Sequence, residues 1–432
     1  MPTQNRNAEF ISRSLKAVWH PCTQMKHLEH VPLVPVVKGA GAWLIDANGN
    51  RYLDAVSSWW VNLFGHANPR INGALKDQLE RLEHTMLAGL THEPVIELSE
   101  RLGKLTGLGH AFYGSDGASA VEIALKMSFH FWRNSGQPAK QKFVCLQGGY
   151  HGETIGALAV TDVAIFRDAY GPLLNNNLLI PFPVTRAGDH PHAPALEKLL
   201  DERHGEIAAL IVEPLVQGAS GMRIYDSAWL ARARALCTRY GVHLIADEIM
   251  TGFGRTGTMF ACEQANIKPD FMCLSKGLTG GYLPLSCVLT TDEVYGAFYD
   301  DDTARGFLHS HSYTGSALAC RAALATLDIF ASDKVIEANV ALARTFSRHA
   351  EAICAHPRVK NFRHLGMIWA FDIESEKPAF AREFFSAALM RGVLLRPIGK
   401  TIYFMPPYVV KEDEFAWLVK QTIATIDVVA AA

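Results

Sequence analysis

No two of the eight cysteines stand in a C-x-x-C pair; they are scattered from Cys22 to Cys354. That scatter excludes a disulfide frame and a zinc ribbon, and reads as buried thiols in a reducing compartment. No uninterrupted apolar stretch reaches the roughly 18 residues that a membrane helix needs. The segment from Met1 to Leu15 is polar and holds no apolar leader-like run. A cytoplasmic protein with no membrane partner is the expectation. An excess of one charge is also missing. The 41 basic and 43 acidic side chains leave a net charge of -2, too balanced for a nucleic-acid-binding face. Low-complexity tracts and internal repeats are absent as well.

What is present suits a large folded core: 432 residues, 49% hydrophobic and 19% charged. Short apolar runs alternate with helix-period runs, the α/β signature. Phe143–Leu146, Ala208–Val212, His243–Ala246 and Phe271–Leu274 read as buried parallel strands, and Ala118–Trp132 and Ser227–Tyr240 as helices. Near the start, Ala42–Ile45 and Arg51–Asp54 flank a turn at Asn48-Gly49-Asn50 and predict a hairpin. The expected organisation is a large central domain over residues 63–332, built on a mainly parallel sheet. Residues 1–62 and 333–432 would pack together as a smaller α+β domain.

Chemistry concentrates where apolar strands stop. Ile245-Ala246-Asp247-Glu248 ends a strand in two carboxylates, at the edge where open α/β sheets bind ligands. Such an aspartate could hold a metal, act as a base, pair with a cationic ring nitrogen, or simply cap the next helix. Phe271-Met272-Cys273-Leu274-Ser275-Lys276-Gly277 ends another strand in a lysine. Desolvation there would lower the pKa of Lys276 and free a nucleophilic amine; a lysine that reaches solvent is the plain alternative. Together the pair is more telling. Pyridoxal phosphate enzymes need both a lysine for the cofactor and an acid for its pyridinium nitrogen. A carboxylate about 4 Å away, at an effective dielectric near 20, contributes roughly 4 kcal/mol toward keeping that nitrogen protonated.

Two further segments fit the same ligand. Tyr113-Gly114-Ser115-Asp116-Gly117-Ala118-Ser119 is a small-residue turn opening a helix, whose free amides and dipole suit a phosphate; an ordinary helix cap would look the same. It lacks the spacing of a P-loop. Gly149-Tyr150-His151-Gly152 follows the strand Phe143–Leu146 and offers an aromatic ring to stack on a planar cofactor, or to join the core. Glu213-Pro214 ends another strand and reads equally as part of the crevice or as a turn. Arg255 either meets a substrate carboxylate or anchors its own glycine-rich loop. The histidines of Asp189-His190-Pro191-His192 and His309-Ser310-His311 lack a second ligand pair at zinc spacing, so no metal is expected.

Tyr150-His151-Gly152, Asp247-Glu248 with Thr251-Gly252-Phe253-Gly254-Arg255-Thr256-Gly257, and Ser275-Lys276-Gly277 resemble the class-III pyridoxal-phosphate-dependent aminotransferases over nearly the whole chain. Trp19-His20-Pro21, Ser57-Ser58-Trp59-Trp60, Arg396-Pro397 and Tyr403-Phe404-Met405-Pro406-Pro407-Tyr408 are similar to the biotin-pathway branch of that family. The resemblance implies fold type I and pyridoxal 5'-phosphate as cofactor. It implies catalytic roles for Lys276, Asp247 and Tyr150, with His151 and Glu153 supporting Tyr150. Asp116, Gly117, Ala118, His311 and Ser312 would hold the cofactor with them. Trp59, Ser310, Arg396 and Tyr403, together with Tyr150 and Lys276, would bind substrate. The implied reaction is amination of 8-amino-7-oxononanoate, with S-adenosyl-L-methionine as usual donor and lysine as the donor of some relatives. The implied assembly is a homodimer in which residues 310–312 reach the partner's phosphate. Cys22 stands where the family often has tyrosine, and Ser310-His311-Ser312 where it often has Gly-Pro-Thr. An ω-amino acid or diamine transaminase keeps the cofactor and changes the substrate; a non-catalytic binding protein keeps only the fold.

Overall fold

Strand-forming residues with no polar face must be covered on both sides, and the central sheet is built from such runs. A computed structural model describes residues 5–183 and 193–431; the Asp189–His192 segment lies outside them. The chain divides into two compact units, one of Arg70–Asn339 and one formed by the two chain ends. Both divisions fall seven residues beyond those expected from sequence, at Pro69/Arg70 and Asn339/Val340.

The central sheet of the unit Arg70–Asn339 has seven strands among the described residues: β1 (His110–Gly114), β2 (Lys142–Leu146), β3 (Leu178–Ile180), β4 (Ile207–Val212), β5 (His243–Asp247), β6 (Phe271–Leu274) and β7 (Ser286–Thr290). Their order across the sheet is β3-β2-β4-β5-β6-β7-β1. Neighbours from β3 to β6 pair in parallel, whereas β7 runs antiparallel to both β6 and β1. One reversed strand in an otherwise parallel sheet is thus the actual form of the mainly parallel sheet. Every residue of β4, β5, β6 and β7 is buried. Helix α1 (Gly117–Asn134) lays Val121, Ala124, Leu125 and Phe131 into this core, and its Trp132 indole donates to the Ala208 carbonyl at 2.9 Å.

The chain-end unit carries a four-stranded sheet of Val36–Ala40, Trp43–Asp46, Arg51–Asp54 and Val393–Leu394. The first three form antiparallel pairs, and the last joins in parallel, Val393 opposite Leu53. Asp46 fixes the predicted hairpin turn by accepting from the Asn48 and Asn50 amides. A three-stranded antiparallel sheet, Val359–Leu365, Ile368–Ile373 and Thr401–Phe404, packs its aromatic residues with the helix Glu412–Ala431. There Phe346 stacks on Phe415 with ring centroids 4.0 Å apart, both fully buried.

Phe346→Ala would remove a side chain from a site with no solvent to refill it. It is expected to destabilise this unit by about 3–5 kcal/mol, read as a shift in its urea unfolding transition.

Candidate active site

The parallel strands set the site, because their carboxyl ends face one edge. Asp247 is the last residue of β5 and pairs in register with Cys273 of the adjacent β6, which Ser275 and Lys276 follow closely. Glu213 follows β4, Tyr150 and His151 follow β2, and Ser115 and Asp116 follow β1. Five loops from one sheet edge therefore supply the candidate residues.

Asp247 is buried, and its Oδ2 lies 2.7 Å from Nδ1 of the equally buried His151. Its Oδ1 accepts from the Ile249 amide at 3.2 Å. This corrects the supporting role expected for His151: it holds Asp247, not Tyr150. Tyr150 donates its hydroxyl to Glu153 at 2.9 Å, and its amide donates to Glu213 at 3.0 Å. Burial raises the Glu213 carboxyl to about 7; His151 opposes that shift and Asp247 adds to it. The Gly218 amide also donates to Glu213, at 2.9 Å. Sequence left Glu213 between crevice and turn; the structure places it among the charged groups of the site. Its signal was the same as that of Asp247, a carboxylate directly after a wholly apolar run.

Lys276 has a left-handed backbone, φ 46°, a conformation that L side chains adopt only when their surroundings impose it. Burial lowers its ammonium to about 8, although Asp247 and Glu213 pull the other way; buried Arg255 pushes in the same direction as burial. Glu248 is turned away from this chemistry: its carboxylate accepts from the Thr251 hydroxyl and from the Cys262 amide at 2.8 Å.

At the start of α1, the Asp116 carboxylate accepts from the Ser119 amide at 2.9 Å. A carboxylate so placed fixes the helix start, and the first amides, Gly117 and Ala118, which have no intrahelical acceptor, are the groups that could hold an anion there. Two close approaches tie this cradle to its neighbours. A Cβ at Gly117 would meet Ile249 at 3.1 Å, and one at Gly152 would meet Ala118 at 2.6 Å. A buried carboxylate for a ring nitrogen, a desolvated amine and a helix-start cradle are together the donor set that a phosphorylated pyridine aldehyde requires. His311 stands with its Nδ1 3.4 Å from Oγ of Ser115 in the same chain. Ser310 and Ser312 are exposed, and the Ser312 carbonyl lies 2.8 Å from His84 Nε2.

Within the chain-end unit, Ser57, Ser58, Trp59 and Trp60 form one left-handed turn, with φ of 51°, 47°, 72° and 71°. Each such residue costs roughly 1–2 kcal/mol. Asp54, fully buried, accepts from both the amide and the hydroxyl of Ser58, at 2.9 and 2.7 Å. Ser57 donates to the Met405 carbonyl at 2.7 Å, and the Trp60 indole to the Tyr403 hydroxyl at 3.0 Å. Burial raises the Tyr403 hydroxyl to about 12, keeping it neutral. The turn projects exposed Trp59, over which the Arg396 guanidinium stacks at 4.7 Å. Arg396 also donates to the Cys22 carbonyl at 3.3 Å. A cavity of about 490 Å³ in this unit is lined by Cys22, Leu28, Trp59, Phe385 and Arg396, among others.

Fold and site define an aminotransferase, and the comparisons agree. The Aminotransferase class-III profile matches residues 24–426. The chain belongs to that family, and the cofactor this membership implies is pyridoxal phosphate. An adenosylmethionine-8-amino-7-oxononanoate aminotransferase from Helicobacter pylori is 47% identical over 98% of this chain and 99% of its own. One of the same name from Geobacter sulfurreducens is 39% identical, over 93% and 94%. The crystal structure of the Methanocaldococcus jannaschii enzyme of that name superposes with a TM-score of 0.93 at 34% identity, covering 98% of this chain and 99% of the other. The omega transaminase of Pseudomonas jessenii in complex with PMP has a TM-score of 0.91 at 26% identity, covering 97% and 98%. Among the described residues no helix is long and apolar enough to cross a membrane, and no His/Cys/Asp/Glu group is arranged to hold a metal.

The Lys276 shift has a direct readout. With a pKa of about 8, roughly a tenth of the amine is neutral at pH 7, against roughly three in ten thousand for an ordinary lysine. Acylation of the apoprotein followed by peptide mass spectrometry is expected to modify Lys276 half-maximally near pH 8, while surface lysines lag by about two pH units.

Proposed function

We propose that this chain aminates 8-amino-7-oxononanoate to 7,8-diaminononanoate, with S-adenosyl-L-methionine as donor, as a step of biotin biosynthesis. The observation that carries this reading is the meeting of Lys276 with the buried Asp247–His151 pair at adjacent strand ends. The names of the full-length relatives support the choice of substrates. The protein is taken to work as a homodimer, and in the cytoplasm, a reducing compartment that six buried free thiols suit.

Bound pyridoxal phosphate supplies an aldehyde for the amino group and a ring that withdraws electrons from the carbon being deprotonated. Lys276 carries the cofactor and, with its amine neutral at Nζ, accepts the substrate's Cα proton and later returns it. Asp247 keeps a proton on the ring nitrogen, and His151 keeps Asp247 in place. Tyr150 offers its ring face to the cofactor. The Gly117 and Ala118 amides hold the phosphate, Asp116 fixes the helix that presents them, and His311 and Ser312 serve the same phosphate. Trp59 and Tyr403 line the path of the acceptor's apolar chain, with Ser310 at the substrate side. Arg396 takes the terminal carboxylate with a planar fork that lysine lacks.

Mixing the pyridoxal-phosphate form with S-adenosyl-L-methionine, and separately with lysine, while following the cofactor absorbance tests the donor. Loss of the band with S-adenosyl-L-methionine is expected. Loss with lysine alone would reassign the donor, and loss with an ω-amine alone would sink the biotin-pathway reading. In the steady state, Lys276→Ala is expected to lose more than about a thousandfold in kcat, and Asp247→Asn roughly a hundredfold or more.

Arg396→Lys separates recognition from chemistry. It is expected to raise KM for the acceptor by about tenfold with kcat nearly unchanged, the pattern of lost uniform binding.

A further inference from the structure

A chain of four side chains runs from the protein surface to the cradle at the start of α1, and its first two members, Lys126 and His309, have no part in the reaction described above. Lys126 Nζ lies 2.8 Å from His309 Nδ1, His309 Nε2 lies 3.3 Å from His311 Nε2, and His311 Nδ1 lies 3.4 Å from Ser115 Oγ. Lys126 is exposed, in the wall of an open cavity of about 920 Å³. His309 and His311 are half-buried, and the ring of His309 stacks on Phe307 with centroids 5.6 Å apart.

Elementary donor and acceptor counting orders this chain in one direction. An ammonium has three donors and no acceptor. His309 Nδ1 beside Lys126 must therefore accept, so neutral His309 carries its proton on Nε2. That proton is donated to His311 Nε2, which puts the proton of neutral His311 on Nδ1, facing Ser115. Burial, Lys126 and His311 all disfavour a charge on His309; only Glu122 favours it. The neutral form that the ordering needs is thus the form its surroundings select.

We propose that Lys126 and His309 are positioning residues that fix the tautomer of His311, so that His311 donates to Ser115 and the Ser115 hydroxyl hydrogen is left for the cofactor phosphate. A phosphate oxygen accepts and never donates when ionised, so the direction of this one hydrogen bond decides whether Ser115 helps or competes. Without His309 as donor, His311 is free to carry its proton on Nε2 and take the serine's hydrogen for its own Nδ1. The inference rests on the cofactor reading given above. It concerns residues at which this sequence departs from its family's pattern, since histidine occupies the middle of Ser310-His311-Ser312.

The test is a double-mutant cycle on the affinity of the full-length apoprotein, read by spectroscopic titration with pyridoxal phosphate and, separately, with pyridoxal, which lacks the phosphate. His309→Phe keeps the aromatic packing on Phe307 and removes both ring nitrogens. His309→Phe and Ser115→Ala are each expected to raise the Kd for pyridoxal phosphate by about tenfold, the effect of one hydrogen bond to a charged group. The double variant should be no worse than either single one, because both remove the same donor. The Kd for pyridoxal should move in neither. Full additivity of the two changes, or an equal loss for pyridoxal, would overturn the relay and leave the cofactor reading intact. A wild-type protein that bound no pyridoxal phosphate would overturn both. In the wild-type apoprotein, histidine-labelled 15N NMR should show His311 protonated on Nδ1, and His309→Phe should shift that proton to Nε2; an unchanged tautomer would also refute the relay.

Discussion

A carboxylate buried at the end of a central strand is the constraint around which the larger unit is arranged. Asp247 has no water to solvate it, so its charge must be met by fixed partners. His151 and the Ile249 amide meet it. To bring His151 there, the loop after β2 passes so close to α1 that only glycine fits at position 152. To bring Ile249 there, the loop after β5 presses on Gly117. The same two approaches that satisfy Asp247 therefore fix the start of α1 against the loops after β2 and β5. Glu213 and Lys276 complete the set, each displaced from its ordinary ionisation by the same loss of solvent. A site of this kind stores its reactivity in desolvation, and the extended hydrogen bonding of the sheet holds the charges in place.

The chain-end unit applies a different principle, strain held by redundancy. Four successive left-handed residues are intrinsically unfavourable by several kcal/mol in sum. They persist because Asp54, Met405 and Tyr403 each hold the turn by hydrogen bonds from a different side. The result is an exposed Trp59 with a guanidinium laid on its face. The Cys22 carbonyl orients that guanidinium, so the contact belongs to the backbone and survives the change from the family's usual tyrosine.

Sequence and structure agree best where one physical signal dominates. Phe271–Leu274 and Ser227–Tyr240 were bounded correctly to the residue, because a wholly apolar run and a well-capped helical period leave little choice. Asp247 and Lys276 were legible because charge directly after such a run is conspicuous. The antiparallel β7 was not, since Ser286–Thr290 is as fully buried as its parallel neighbours and direction leaves no mark in composition. The role of His151 was misread because pairing across 96 positions has no local pattern. Nothing in Ser57-Ser58-Trp59-Trp60 announces a left-handed turn; the residues that hold it lie as far away as position 405.

The chain-end unit also has a consequence in time. Leu53 pairs with Val393, and its amide donates to the Gly392 carbonyl at 2.8 Å. During synthesis the first strands leave the ribosome early, yet these partners do not exist until all of Arg70–Asn339 has been made. At about 5–20 residues per second that is a wait on the order of half a minute. Throughout it, Arg51–Asp54 presents an unfilled strand edge, the kind of surface that attracts other chains. The nascent protein is thus most vulnerable in the part it makes first, and the larger unit has ample time to fold while that part is still waiting.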